Sequence, residues 1–141
     1  MWNEALAAIP GLVIMGRPTS PTALDDASNR LGHPLPTELA ALYQEVSRVQ
    51  GEFELGLVWP IERVVKENLA LREDADLARL YMPFDALLFF GDAGNGDLFG
   101  LVPHTGRPDV FAWNHEDDSR TWVAPGLAKY LEWWQTDRIK L

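Results

Sequence analysis

The spacing of apolar residues changes near residue 84, and this change constrains the fold more than any other feature of the sequence. Before it, apolar side chains recur at the spacing of amphipathic helices. After it, the short runs ALLFF, DLFGLV and DVFAWN alternate with the turn segments GDAGNG and PHTGRP, which predicts an antiparallel three-stranded meander. The segment VAPGLAKYLEWWQ then returns to helical spacing. We therefore predict an α+β fold with N-terminal helices, an antiparallel β-meander and a C-terminal helix packed on the sheet.

Four helices are predicted before the meander. The clearest runs between Pro36 and Gly51 in LPTELAALYQEVSRVQG. A short helix is predicted at residues 2–9, a second one ends at Gly32, and a third begins after Pro60. The segment FELGLVW, between Gly51 and Pro60, predicts a short strand. The apolar stripe of the clearest helix consists of Leu39, Leu42, Tyr43 and Val46.

The length and net charge of the chain indicate the number of domains and the kind of partner. The chain has 141 residues, 47% of them hydrophobic, which suffices for one buried core, so we expect a single domain over residues 1–141. The net charge is −9 and the sequence pI is about 4.7. Acidic residues occur in clusters, whereas the 12 lysines and arginines are scattered singly. This balance disfavours nucleic acid and anionic membranes and favours a basic protein partner.

The sequence contains no cysteine, which excludes disulfides, thiolate zinc sites and cysteine nucleophiles. No motif predicts a metal ion or a cofactor. The apolar segment IPGLVIMG is too short to span a bilayer, and no basic leader precedes it. We therefore expect a cytoplasmic protein that does not associate with membranes.

The loop in LLFFGDAGNGDLFGLV is rich in glycine and aspartate and raises the question of ligand binding. Its glycines run G-x-x-G-x-G before a predicted strand, whereas a dinucleotide fingerprint runs G-x-G-x-x-G before a helix. A P-loop lysine is missing, and Asp92 and Asp97 would repel phosphate. The oxygen ligands Asp92, Asn95 and Asp97 do not have EF-hand spacing. We interpret the loop as a turn.

A β-hairpin turn explains the residues of this loop better than a phosphate or metal site does. A two-residue turn at Asn95-Gly96 avoids setting Asp92 directly against Asp97, as a four-residue loop would. It places Gly91 opposite Gly100, which leaves a bare notch on one face. A helix or a partner's side chain could approach the backbone closely there, and packing within the chain is the favoured occupant, because glycine in a strand commonly marks close backbone approach. The predicted pairs are Gly94 with Asp97, Ala93 with Leu98, Asp92 with Phe99 and Phe90 with Leu101.

The three histidines do not belong to any recognisable catalytic motif. His33, His104 and His115 are not part of a serine elbow or an H-E-x-x-H motif. Folding can bring His115 near Glu116 or Asp117 as an acid/base pair. The alternative interpretation, a solvated loop in NHEDD, explains the same residues. An enzyme would require His115 to lie in a cleft against a carboxylate.

Tryptophans are numerous for one small core, and exposed ones would serve as interface anchors. Neighbouring helical positions point about 100 degrees apart, so Trp133 and Trp134 do not both bury easily against one surface. An exposed tryptophan beside acidic clusters is typical of an anchor with a charged rim. Burial on two sides of a thick core remains the other interpretation. The tryptophans in question are Trp59, Trp113, Trp122, Trp133 and Trp134.

Three segments in this order resemble the SUKH superfamily of Smi/Knr-type domains: LGHPLPTELAALYQEVSRVQG, LLFFGDAGNGDLFGLV and VFAWNHEDDSRTWVAPGLAKYLEWW. The resemblance runs from about Ser20 to Trp134. Its most specific features are Leu35-Pro36 opening a helix that stops at Gly51, and the glycine/aspartate hairpin after an apolar strand. Val49-Gln50 departs from the pattern, in which an asparagine usually precedes the glycine.

The resemblance implies an α+β domain without known catalytic residues. Many bacterial members act as immunity proteins that bind and neutralise a polymorphic or contact-dependent toxin, often a nuclease, whereas fungal relatives act in cell-wall regulation. Toxin-contacting surfaces differ between members, so the resemblance transfers no site residue to this chain.

We therefore expect a non-enzymatic immunity protein whose acidic loops and exposed aromatics cap a basic toxin domain. The alternative is a regulatory or scaffold module that binds an endogenous protein in cell-wall or signalling processes. Charge complementarity with the partner would come from acidic side chains, and one tryptophan would act as the anchor. The candidate contact residues are Glu52, Glu54, Asp92, Glu116, Asp117 and Asp118, with Trp113 or Trp133 as the anchor.

Overall fold

A computed structural model describes residues 2–141, with side chains described at all of these positions except 15 and 85. Helices dominate the first half and strands the second, and a helix follows the last strand, which confirms the predicted α+β fold. The helices are α1 (Trp2–Ala7), α2 (Pro21–Leu31), α3 (Thr37–Tyr43), α4 (Ile61–Glu73), α5 (Ala75–Leu80) and α6 (Leu127–Gln135). The strands are β1 (Val13–Met15), β2 (Arg48–Gln50), β3 (Gly56–Val58), β4 (Leu88–Asp92), β5 (Leu98–Leu101), β6 (Val110–Trp113) and β7 (Arg120–Ala124).

The strands form two antiparallel sheets, in the orders β1-β2-β3 and β4-β5-β6-β7. The second sheet is the predicted meander with β7 as a fourth strand. The sheets meet where β3 approaches β4: the amide of Trp59 donates a hydrogen bond to the carbonyl of Phe90 at 2.8 Å. Gly91 is required at this junction, because a Cβ there would lie 2.1 Å from the carbonyl oxygen of Leu57. The favoured packing within the chain at Gly91 is confirmed, but the element that approaches is strand β3 rather than a helix, and Gly91 does not lie opposite Gly100.

The helix predicted up to Gly51 is wrong beyond Tyr43, because α3 ends there and residues 48–50 form β2. Val46 is buried, as predicted for the apolar stripe of this helix. It lies, however, in the segment that connects α3 to β2. In β2 the buried Val49 lies between two half-buried polar side chains, which is the alternation of a strand. Three residues are too few for this alternation to stand out in the sequence.

The predicted hairpin register is also wrong. The amide of Ala93 donates to the carbonyl of Asp97 at 3.0 Å, which leaves a three-residue loop at residues 94–96. Both glycines of this loop adopt left-handed backbone angles, with φ of +92° and +100°, so the turn does not centre on Asn95-Gly96. A bulge at Phe90 shifts the rest of the pairing. The observed pairs are Asp92 with Leu98, Gly91 with Phe99, Phe89 with Gly100 and Leu88 with Leu101.

The core is formed by the inner faces of the helices and of both sheets. Helix α6 packs on the second sheet through Tyr130, whose ring centroid lies 4.7 Å from that of Phe99. The Tyr130 hydroxyl also donates to the carbonyl of Leu57 at 2.8 Å, so α6 holds the junction of the two sheets. Burial in this apolar environment raises the pKa of Tyr130 well above its ordinary value.

Candidate partner-binding surface

Three hairpin loops that are distant in sequence lie side by side at one edge of the molecule. They connect β2 to β3 (residues 51–55), β4 to β5 (residues 93–97) and β6 to β7 (residues 114–119), and we call them together the three-loop edge. A Cβ at Gly94 would lie 3.4 Å from a side-chain carbon of Leu55, which places the first two loops in contact. A Cβ at Gly96 would lie 2.8 Å from Cε1 of His115, which places the second loop against the third.

Hydrogen bonds to Asp97 hold the second and third loops together. Its buried carboxylate oxygen Oδ1 lies 2.7 Å from Nδ1 of His115 and accepts the backbone amide of the same residue at 3.2 Å. The Asp97 amide in turn donates to the side-chain oxygen of Asn95 at 3.0 Å. Asn95 and Asp97, the candidate metal ligands rejected from the sequence, therefore shape the loop through local bonds.

The three-loop edge is strongly acidic. Its segments GEFEL, AGNGD and NHEDDS contain six carboxylates and no lysine or arginine. Four of these acidic side chains are exposed: Glu52, Glu54, Glu116 and Asp117. The amide and hydroxyl of Ser119 both donate to the Asp117 carboxylate and lower its pKa. The fold therefore gathers four of the acidic candidates, separated by up to 65 positions in sequence, onto one surface.

Asp92 is turned inward at the base of this edge. Its Oδ2 accepts hydrogen bonds from the indole of Trp59 at 2.9 Å and from the guanidinium of Arg63 at 3.0 Å. Arg63 also lies over the Trp59 ring, 4.5 Å from its centroid. Asp92 therefore fixes β4 to the start of α4 and contributes less free negative charge than the exposed acids do.

Asp118 is also engaged within the molecule. Burial opposes ionisation of its carboxyl, but hydrogen bonds from the Met82 amide, the Trp113 indole and the Arg120 guanidinium outweigh this effect and lower its pKa. The three donors lie 2.9, 2.7 and 3.1 Å from the carboxylate. Asp118 adopts a left-handed backbone with φ of 63°, and these bonds account for that conformation.

Trp113 is only 5% exposed and packs against the rings of Tyr81, Phe84 and Phe89, so it does not offer its indole to a partner. Burial removes this residue from the proposed contacts because an anchor must be accessible before the complex forms.

Trp133 and Trp134 are both half-buried. Neither is the fully exposed anchor considered from the sequence, and neither is fully buried in the core. The ring centroids of Trp133 and Trp122 lie 6.3 Å apart. The guanidinium carbon of Arg138 lies 4.5 Å from the Trp133 ring centroid. Trp122 on β7 is 47% exposed and is the most accessible of the tryptophans singled out in the sequence.

Phe53 is the exposed aromatic residue that sequence reasoning missed. Its side chain is 98% exposed, at the tip of the first loop between Glu52 and Glu54. Its backbone is left-handed, with φ of 56° and ψ of 34°. The sequence gives no signal for its exposure, because Phe53, Leu55 and Leu57 alternate with other residues as the buried face of a strand does.

The acid/base hypothesis for His115 named the wrong carboxylates. Its partner is Asp97, from the neighbouring loop, rather than Glu116 or Asp117. Within residues 2–141, no side chain forms a hydrogen bond with Nε2 of His115, whereas an activated nucleophile would do so. The ring rests on Gly96, so the His115–Asp97 pair serves to join two loops.

The described part of the chain shows neither a metal-binding cluster nor a membrane-spanning helix. No group of three or more histidine, aspartate or glutamate side chains there is placed to hold a metal ion. None of the helices described has the length and apolar character required to cross a membrane.

The family comparison fits this geometry. The model of the SMI1 / KNR4 family (SUKH-1) matches residues 18–133, which is more than half of the chain. The chain belongs to the SMI1/KNR4 family. The SMI1/KNR4 match covers α2 through most of α6 and includes all three loops of the three-loop edge. It confirms the resemblance stated from the sequence. A search of curated proteins finds no match to the chain.

Proposed function

We propose that this SMI1/KNR4-family chain is an immunity protein that neutralises a bacterial toxin by binding it. The observation that supports the proposal is the three-loop edge, where Glu52, Glu54, Glu116 and Asp117 are exposed on loops that contain no lysine or arginine. Arg138 and Lys140 lie beside the second and third loops, so the acidic character is strongest around the first loop. A toxin that acts on nucleic acid needs a basic cleft for its substrate. An acidic edge of this kind is complementary to such a cleft and would occlude it.

Electrostatic steering supports the same function. A net charge of −9, with four exposed acids gathered at one edge, raises the rate at which a basic partner is encountered. Speed matters for an immunity protein because it must capture the toxin before the toxin reaches its substrate. The interaction requires no catalysis, cofactor or metal ion from this chain.

The arrangement of the edge favours a protein partner over a small ligand. The contacts between Leu55 and Gly94 and between Gly96 and His115 keep the loops in fixed relation. The exposed carboxylates lie on two hairpin loops with a third between them, rather than around a closed pocket. Loops that already pack against each other lose less backbone entropy when a partner binds than separate flexible loops would.

Co-expression tests the function directly. The toxin encoded beside this gene should stop growth when expressed alone, and this protein should restore growth when expressed with it. A catalytically inactive toxin variant should co-purify with this protein, which separates binding from effects on expression. Failure to restore growth against every neighbouring toxin would contradict the proposal and favour a regulatory partner within the cell.

A further inference from the structure

The first loop presents an exposed phenylalanine at a backbone position where this residue is costly and gains no packing. In the described part of the chain, four non-glycine residues have positive φ: Phe53, Glu54, Asp118 and Asp137. A bulky residue in this region is a genuine outlier, because the side chain crowds the following carbonyl. The other members of this set allow a direct comparison with Phe53.

The two aspartates adopt this conformation for local structural reasons. Asp118 is held by hydrogen bonds from Met82, Trp113 and Arg120. Asp137 follows the end of α6, where the amide of Arg138 donates to the carbonyl of Trp133 at 2.8 Å, as in a common helix C-terminal cap. The conformation of each aspartate therefore follows from the groups around it.

Phe53 and Glu54 are the two central residues of a type I′ turn that closes the β2–β3 hairpin, which explains their positive φ. Such turns favour glycine, asparagine and aspartate at these positions, so the turn does not explain why a phenylalanine occupies one of them. The loop is closed by backbone bonds from the Gly51 amide to the Leu55 carbonyl at 2.8 Å and from the Leu55 amide to the Glu52 carbonyl at 3.1 Å. Neither bond involves the Phe53 side chain, which is 98% exposed. The backbone thus holds a phenyl ring in water, at a conformational cost, with no burial to compensate for it.

The surroundings of Phe53 define the chemistry of what it meets. A shallow cavity of about 290 Å³ adjoins it, with Leu55, Trp134 and Ile139 among its lining residues. The described residues that line this cavity include the acids Glu52 and Asp137 and no lysine or arginine. The complementary surface is therefore apolar at its centre and positively charged around it.

We propose that Phe53 is the anchor of the partner interface and that its ring enters an apolar pocket of a basic protein, while Glu52 and Glu54 pair with lysine or arginine at the rim of that pocket. This inference rests on the proposed function and deepens it by naming the central contact and the chemistry of the partner. Aromatic side chains are enriched at protein interfaces, where a polar rim surrounds a more apolar centre.

The test measures binding of the full-length protein to the inactive toxin encoded beside the gene. Phe53→Ala should weaken the affinity by about 30-fold or more, as expected for a hot-spot residue. The loss should lie mainly in a faster dissociation rate, because removing a buried apolar contact leaves electrostatic encounter intact. Phe53→Leu keeps an apolar side chain and should lose less affinity than Phe53→Ala.

A matched control is Leu80→Ala, which removes an exposed apolar side chain outside the three-loop edge. It should leave the affinity within about threefold of the wild-type value. Wild-type binding together with an unchanged affinity for Phe53→Ala would overturn the anchor but leave the proposed function standing. No binding by the wild-type protein would overturn both.

A stability measurement tests the anchor without any partner. Phe53→Gly relieves the left-handed backbone and removes no packed side chain, so its urea midpoint should equal or exceed that of the wild type. A clearly lower midpoint would show that Phe53 has a structural role in the free protein and would contradict the proposal.

Discussion

The imidazole of His115 rests on Gly96, so closely that a Cβ at position 96 would lie 2.8 Å from Cε1 and 3.0 Å from Nδ1 of the ring. The same ring is held by Asp97 at 2.7 Å. Glycine at position 96 therefore lets the second and third loops pack against each other. This packing brings Glu116 and Asp117 to the same edge as the first loop and so creates the acidic surface.

Gly96→Ala should destabilise the protein more than Gly106→Ala. Both glycines have positive φ, so both substitutions should cost about 1–2 kcal/mol in backbone strain. Among the described residues, a Cβ at Gly106 would meet no neighbour within 4 Å, whereas a Cβ at Gly96 would meet the His115 ring. Displacing that ring from Asp97 should cost about 1.5–3 kcal/mol more. Urea unfolding of the two variants measures the difference.

A double-mutant cycle provides the control for this prediction. In a His115→Ala background the obstructing ring is absent, so the additional cost of Gly96→Ala should disappear. An additional cost that persists without the ring would show that the contact with His115 does not explain the requirement for glycine.

Asn68→Ala should be strongly destabilising. Asn68 is 1% exposed, and its side chain pairs with the backbone of Phe89 as a neighbouring strand would, donating at 2.7 Å and accepting at 2.8 Å. Alanine would leave both backbone groups of Phe89 buried without these partners, which should cost about 2–4 kcal/mol. Asn29→Ala, on the surface of α2, should be neutral or slightly stabilising. A similar loss in both variants in urea unfolding would contradict this role.

Asp118→Asn should produce a loss of stability that depends on pH. The hydrogen bonds to Asp118 lower the pKa of its carboxyl in the folded protein below the ordinary value of 3.8. Its contribution to stability is therefore fully present above that value and declines as the pH falls through the lower folded pKa. The variant should lose about 1.5–3 kcal/mol at pH 7 and progressively less below about pH 4.

Unfolding free energies at pH 7, 5 and 3 test this dependence. Asp26→Asn, at an exposed position of α2, serves as the charge-matched control and should show a small effect throughout. A gap between wild type and Asp118→Asn that stays constant from pH 7 to pH 3 would contradict the role assigned to the ionised carboxylate.

The fold class was predictable because its longer elements carry clear periodicity. The helical spacing of Leu39, Leu42 and Tyr43 predicted α3. The apolar runs on either side of GDAGNG predicted β4 and β5. Strands β1 and β2 have three residues each, too few to show alternation, and their pairing is decided by tertiary contacts.

The candidate surface was only partly predictable. Acidic clusters are visible in the sequence, but the contacts of Leu55 with Gly94 and of Gly96 with His115, which bring the loops together, depend on the folded chain. The inward orientation of Asp92 and the burial of Trp113 also arise from packing. The exposure of Phe53 depends on a backbone conformation that phenylalanine rarely adopts, so residue preference pointed away from it.

Binding at the three-loop edge is tested most directly by the rate at which the inactive neighbouring toxin associates with two charge-matched variants. The first neutralises the three-loop edge through Glu52→Gln, Glu54→Gln, Glu116→Gln and Asp117→Asn. The second removes the same number of negative charges elsewhere on the surface, through Asp25→Asn, Asp26→Asn, Glu73→Gln and Asp76→Asn.

At low salt the first variant should associate at least about tenfold more slowly than the wild type, with a weaker dependence on salt, and should fail to restore growth. The second should stay within about threefold of the wild-type rate and should protect the cell. Equal association rates and equal protection for the two variants would contradict the proposal that the three-loop edge binds the toxin.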